Sequence, residues 1–220
     1  MTKPIYELCA RNLRSTLVLP NGDKIKSAHS YELVAAYFGY KSYSALRADH
    51  NYPLRNIESA EYVFPEITKL ELRTQQFYGT QVERYSYIIA RHISDFLSSA
   101  IGLQAKIWIC ENLEEMIVAE LVHAEFSNIE DAVSGEMATT NAYYDELYFE
   151  EASVFIQQGV LSFTTDGDLN GEQDWDRAFY GDKINISIAG TMEQVSGTTC
   201  FTNLKMEIDG AVDHSHFAEG

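Results

Sequence analysis

The sequence is short of the residues that announce most chemistries. It has three cysteines, Cys9, Cys110 and Cys200, widely separated and odd in number. Neither a disulfide framework nor a CxxC metal site is indicated, and buried free thiols are expected. No GxSxG, HExxH or phosphate-binding glycine loop is present, so the common hydrolase, metalloprotease and kinase readings lack their defining residues. No apolar run approaches a membrane span, and the opening MTKPIYELCARNL carries no signal-peptide core. These absences point to a cytoplasmic chain with no membrane partner. Basic residues are scarce late in the chain: beyond Lys106 only Arg177, Lys183 and Lys205 oppose 23 carboxylates.

What is present is enough for a folded core. The 220 residues are 45% hydrophobic and include 14 Tyr and 11 Phe, which excludes general disorder. Only the end, DGAVDHSHFAEG, reads as a loose tail. The net charge of −17 is unevenly spread. Residues 1–55 hold eight Lys or Arg against four Asp or Glu, whereas 56–220 hold eight against 29. We therefore expect a basic helical module over 1–55 and an acidic α+β domain over 56–220, with helices about 66–99 and a sheet mainly over 104–209. An acidic body of this kind repels DNA and like-charged membranes. It serves solubility, or it serves as a binding face for a basic partner.

Periodicity supports a helical first half and an extended second half. Ile5, Leu8, Cys9, Leu13 and Leu17 recur at helical spacing after Pro4. Asn21-Gly22 is a turn signal, Ser30 is expected to cap a helix through Phe38 with Gly39 as its stop, and Ser42 to cap SYSALRAD. Helices are expected over 66–77 and 80–99, the latter with Val82, Tyr85, Ile89, Ile93, Phe96 and Leu97 on one face. Residues 106–110 read as a strand, and 113–123 suit either helix or strand. Alternation then predicts strands over 154–165, 183–189 and 199–208. The fold class is α+β: a small N-terminal helical module with a helix-turn-helix-like corner, central helices, and a mostly antiparallel C-terminal sheet.

The block 28–48, AHSYELVAAYFGYKSYSALRA, has helix-turn-helix grammar: small Ala35 and Ala36, Gly39 at the turn, and Ser42 opening a second helix. It reads as a packing corner of a helical bundle, or as a nucleic-acid reader in which Lys24, Lys26, Lys41 and Arg47 meet phosphates. Tyr40, Tyr43 and Ala45 leave few polar groups for base edges. His29, with no partner to tune it, reads as structural rather than as a base.

Residues 10–48 resemble a short bacterial helical module known as glyoxalase-related. The matching words are Leu13-Arg14, then Ala28-His29-Ser30, Glu32-Leu33-Val34-Ala35, Gly39-Tyr40 and Leu46, with Tyr43 where the pattern prefers Trp. The resemblance covers about the first fifth of the chain. It implies a helical accessory module of bacterial, plasmid and phage proteins, and no glyoxalase chemistry.

A second constellation, DGDLNGEQDWD from residue 166, puts Asp166, Asp168, Asn170 and Asp174 at the first, third, fifth and ninth positions of a calcium loop, with glycine at the sixth, and a strand-flanked loop would recruit Asp176 as well. Arg177 stands at the twelfth position, and the preceding LSFTT reads as a strand, so a polar hairpin loop is the other reading. Weaker candidates are a DHSH metal tail (Asp213, His214, His216), Glu114, Glu115 and Glu120 facing His123, and an enzyme site near Asp174, Asp176 and Tyr180. In YYDELYFEE, carboxylates flank Tyr148 and Phe149, with acidic and aromatic side chains expected on opposite faces of a protein-binding edge. The leading functional expectation is a non-enzymatic interaction protein whose acidic body binds a basic protein surface, an acidic DNA mimic being its sharper form. A DNA regulator, a calcium module and an unrecognised enzyme are the alternatives.

Overall fold

In a computed structural model of the protein, residues 3–79, 85–140, 142–173 and 183–213 are described, and they form the expected α+β architecture. The helices are α1 (Ile5–Thr16), α2 (Ser27–Tyr37), α3 (Tyr43–Ala48), α4 (Ile67–Tyr78), α5 (Tyr85–Asp95), α6 (Leu113–Met116), α7 (Phe126–Ala132) and α8 (Ser134–Thr139). The strands are β1 (Tyr62–Val63), β2 (Lys106–Ile107), β3 (Ala142–Phe149), β4 (Ser153–Gln157), β5 (Val160–Gln173), β6 (Lys183–Ser196) and β7 (Cys200–Val212). Residues group into two units: 1–111 with 193–203, and 112–192 with 204–220. The expected boundary at residue 55 thus falls inside the first unit. Thirteen Lys or Arg stand against twelve Asp or Glu in the first unit, and three against 21 in the second, so the second carries the acidity of the whole chain.

The first unit is organised around α2. Pro4, with its fixed φ and no N–H to leave unpaired, precedes α1, which buries Cys9, Ala10 and Leu13. Helix α2 begins at Ser27 rather than at the expected cap Ser30. The Ser30 N–H already donates to the Lys26 carbonyl at 3.0 Å, and its hydroxyl donates to the Ser27 carbonyl at 2.8 Å. Every residue from 33 to 38 is buried, because α1 and α4 pack on α2 and neither leaves its apolar face to water. Helix α5 buries Ile89, Ala90 and Ile93, and a π turn (Phe96–Ile101) carries on to bury Leu97. Of its expected face, Val82 lies outside the described residues.

Gly39 ends the α2 segment with φ of +80°, and the N–H of Tyr40 donates back to the Ala35 carbonyl at 2.9 Å. Ser42 then caps α3 as expected, accepting from the Ala45 N–H at 3.1 Å. The tip of the β6–β7 hairpin packs on this corner. The Thr198 N–H donates to the Phe38 carbonyl at 3.2 Å, and the Gly197 N–H donates to the Tyr52 carbonyl at 2.8 Å. A Cβ on Gly39 would collide with the Thr198 hydroxyl and approach Thr199 to 3.2 Å. Beside it, β1 pairs in parallel with β2 and antiparallel with Cys200 and Phe201 of β7. Trp108, Phe64 and Tyr62 stack along that short ladder.

In the second unit the strand order is β7, β6, β5, β3, and β4 pairs with the first part of β5. Strict alternation buries Leu161, Phe163, Thr165, Gly167 and Leu169 of β5, and Ile184, Ile186 and Ile188 of β6. Each such isoleucine contributes about 2 kcal/mol of apolar burial. Gly190 leaves room for the Phe163 ring, and Gly210 for Val133, which is buried with Ile117, Leu121 and Ile129 of the 113–139 helical segment. The ambiguous stretch 113–123 is therefore helical: Asn112 caps it by accepting from the Glu114 and Glu115 N–H groups.

The expected strand 154–165 is in fact a hairpin. Gln158 and Gly159 both take positive φ, +51° and +79°, and fold β4 onto β5 through the tight turn that matches strand twist. The expected strand 106–110 shortens to β2. Residues 209–212, expected in a loose tail, extend β7, and 214–220 lie outside the described residues.

Gly39→Ala is expected to lower unfolding free energy by about 2–3 kcal/mol, combining left-handed strain with the Thr198 collision. Gly22→Ala, at φ +86° in open space, is expected to lose only about 1 kcal/mol. Urea unfolding measures both, and equal losses would contradict the packing of the hairpin tip on Gly39.

Candidate functional site

The alternation that buries one face of β5 and β6 sends polar side chains to the other. Asp166 and Asp168 of β5, Asn185 and Ser187 of β6, and Asp209 of β7 line a shallow cavity of about 340 Å³, together with Tyr148 and Glu150 beside β3. The Ser187 hydroxyl donates to Asp166 Oδ1 at 2.5 Å, and Lys183 Nζ stands 3.0 Å from Asp168 Oδ2. The Glu150 N–H donates to the Asp166 carbonyl at 2.9 Å. Four carboxylates thus share one open sheet face, and Lys183 is the cation paired there among the described residues.

Aromatic groups share the side of the acids: Tyr148 is 60% exposed, Tyr143 70% and Phe155, opposite Ser162, 70%. Ile156, opposite buried Leu161, is on the other side of the strand. Glu146, Tyr148 and Glu150 follow period two and are all exposed, and the register shift of β3 between Tyr144 and Glu146 brings Tyr143 to the same side. Acidic and aromatic groups therefore share the solvent side, where opposite faces were expected.

The basic residues singled out in the sequence come from two segments: Lys24 and Lys26 precede α2, and Lys41 and Arg47 follow it, the chain folding back so that the Tyr43 N–H donates to Glu32 Oε2 at 3.2 Å. All four are exposed. Helix α3 spans six residues and its Tyr43 is packed, 4.7 Å from the Tyr31 ring and 5.7 Å from Tyr6. The Lys41 carbonyl accepts from Arg73 at 2.5 Å, and Arg47 lies over the Tyr43 ring at 6.0 Å. The corner is a packed junction with an ordered base. Tyr40 donates to Asp49 Oδ2 at 2.7 Å, and the Asn51 and Tyr52 N–H groups donate to Asp49 Oδ1. Burial acts to raise the Asp49 carboxyl, but these hydrogen bonds outweigh it and hold its pKa below the usual value.

The calcium reading is corrected over its first half. Residues 166–173 are strand, not loop, so Asp166, Asp168 and Asn170 follow one another along an extended chain, about 7 Å apart, instead of wrapping a common centre. Asp174 and Asp176 lie outside the described residues, as do Tyr180, His214 and His216. Among the described residues no group of three or more His, Cys, Asp or Glu is placed to hold a metal. Nor do the two buried thiols offer a nucleophile: burial pushes both Cys9 and Cys200 up to about 12. Asn185, Ser187 and Asp209 are members of the acidic face that sequence reasoning missed. For Asn185 and Ser187 the signal was period two, since they alternate with buried isoleucines.

No family profile and no curated protein matches the chain. A solved structure titled "EspG structure" is similar at 13% identity and a TM-score of 0.24, over 96% of this chain and 55% of that one. The chain spans about half the length of that protein.

His29 lies flat on Phe77 at 4.0 Å, with Nδ1 3.3 Å from the Tyr78 hydroxyl. His92 Nε2 is 2.8 Å from Thr16 Oγ1, whose own hydrogen goes to the Asn12 carbonyl, so the imidazole donates. Burial lowers both histidines below 6.5, with Lys26 adding to the effect on His29 and Asp95 opposing it on His92. The unfolded chain therefore takes up these protons first. The stability that the two neutral rings provide is present above pH 6.5 and is lost as pH falls through the window below it. His29→Gln/His92→Gln is expected to lose less stability than the parent between about pH 7 and about pH 5.5. Parallel unfolding curves against pH would contradict this.

Proposed function

We propose that the chain is a protein-binding module whose acidic second unit captures a basic segment of a partner on the open sheet face. The observation that supports it is the convergence of Glu150, Asp166, Asp168 and Asp209 around one shallow cavity, bordered by exposed Tyr148. Carboxylates in this density attract guanidinium and ammonium groups and speed encounter by steering. The exposed rings give stacking surfaces for arginine. No reacting group need be invoked.

The helical first unit is then the docking and accessory part, in keeping with the resemblance of 10–48 to the glyoxalase-related module. Its buried α2 and short, packed α3 favour packing over base reading. We place the protein in the cytoplasm, where the buried thiols of Cys9 and Cys200 suit a reducing environment.

Binding of a fluorescent oligo-arginine peptide to the full chain is expected to weaken about tenfold or more between roughly 50 and 200 mM salt. Asp166→Asn/Asp209→Asn is expected to weaken it about fivefold further at low salt. Glu115→Gln/Asp131→Asn removes the same charge outside the cavity and is expected to leave affinity within about twofold. Equal effects of the two double variants would reduce the interaction to bulk charge and sink the proposed face.

A further inference from the structure

The first unit holds a second concavity, larger than the acidic one and opposite in chemistry. Its volume is about 740 Å³, in the range of small-molecule sites. Ile5 and Leu8 of α1 and Leu46 of α3 contribute an apolar floor, and Lys3, Arg47 and Arg55 stand at the rim. Two carboxylates also line it, Asp49 and Glu58. The Asp49 oxygens accept from Tyr40, Asn51 and Tyr52, which fixes that carboxylate in the corner, and three cations against two carboxylates leave the lining with an excess of positive charge. Among the described residues no carboxylate lies within ion-pair distance of Lys3, Arg47 or Arg55.

We propose that this cavity binds a small anionic amphiphile: a carboxylate head on an apolar chain or ring. A guanidinium presents paired donors that match a carboxylate, and two of the three rim cations are arginines. The floor supplies the apolar burial that holds the ligand, while the rim selects its charge. The basic character is local, because the first unit as a whole is nearly neutral. This site is independent of the acidic face and stands or falls separately from it.

The test is calorimetric titration of the full chain with dodecanoate below its micelle concentration, with dodecyltrimethylammonium as the counter-probe. The expected result is a single saturable site for dodecanoate and at least tenfold weaker binding of the ammonium. Arg47→Gln/Arg55→Gln is expected to cost about tenfold in dodecanoate affinity with an unchanged unfolding midpoint, since both side chains are exposed. Ile5→Trp, which fills the floor from a half-buried position, is expected to reduce dodecanoate binding while leaving the rim intact. Non-saturable uptake, equal affinity for the two head groups, or full binding by the double arginine variant would overturn the assignment.

Discussion

The burial of residues 33–38 is the constraint on which the first unit depends. A helix that hides six consecutive residues has no solvent face on which to continue, so the chain must turn away at once, and Gly39 does so at a φ that a side chain would resist. The turn leaves the Phe38 carbonyl without a helical partner, and the Thr198 N–H supplies one. A sequence with helix-turn-helix grammar is thereby used to receive a hairpin tip. The same small residues that would let a recognition helix approach DNA let Cys200 and Thr199 be buried with α2 instead.

Charge follows the same division. Near-neutrality in the first unit and 21 acids against three bases in the second give the two units different natural partners. Long-range attraction of a basic surface is a property of the second unit's net charge, whereas selectivity must come from where the carboxylates stand. Strand geometry provides that placement, since period two puts Asp166 and Asp168 on one line and sheet pairing sets Ser187 and Lys183 beside them. The cost of crowding like charges is relieved by the hydroxyl and ammonium donors and by the open exposure of the face to water.

Legibility in the sequence tracked the strength of local signals. The Asn21-Gly22 turn, the Ser42 cap, the Gly39 stop and the α5 face were all readable, because each is set by neighbours within a turn of helix. The α+β class was readable from the helical spacing of the first half and the alternation of the late strands. The Gln158-Gly159 turn was missed, since Gln rarely adopts positive φ and only pairing of β4 with β5 imposes it. Asp166, Asp168 and Asn170 were read as a loop because aspartate and glycine favour turns. Strand pairing to β3 overrode that preference, with Tyr148 opposite Asp168 and Phe149 opposite Gly167. Asp209 was out of reach altogether, because its place in the acidic face comes from a partner strand distant in sequence.

Hydrogen exchange of the full chain with and without an arginine-rich peptide tests the central claim most directly. The account predicts slowed exchange in the amides of 142–170 and 183–192, which carry the acidic face, with 5–78 unchanged. Slowing confined to the helical first unit, or spread evenly over the chain, would contradict it.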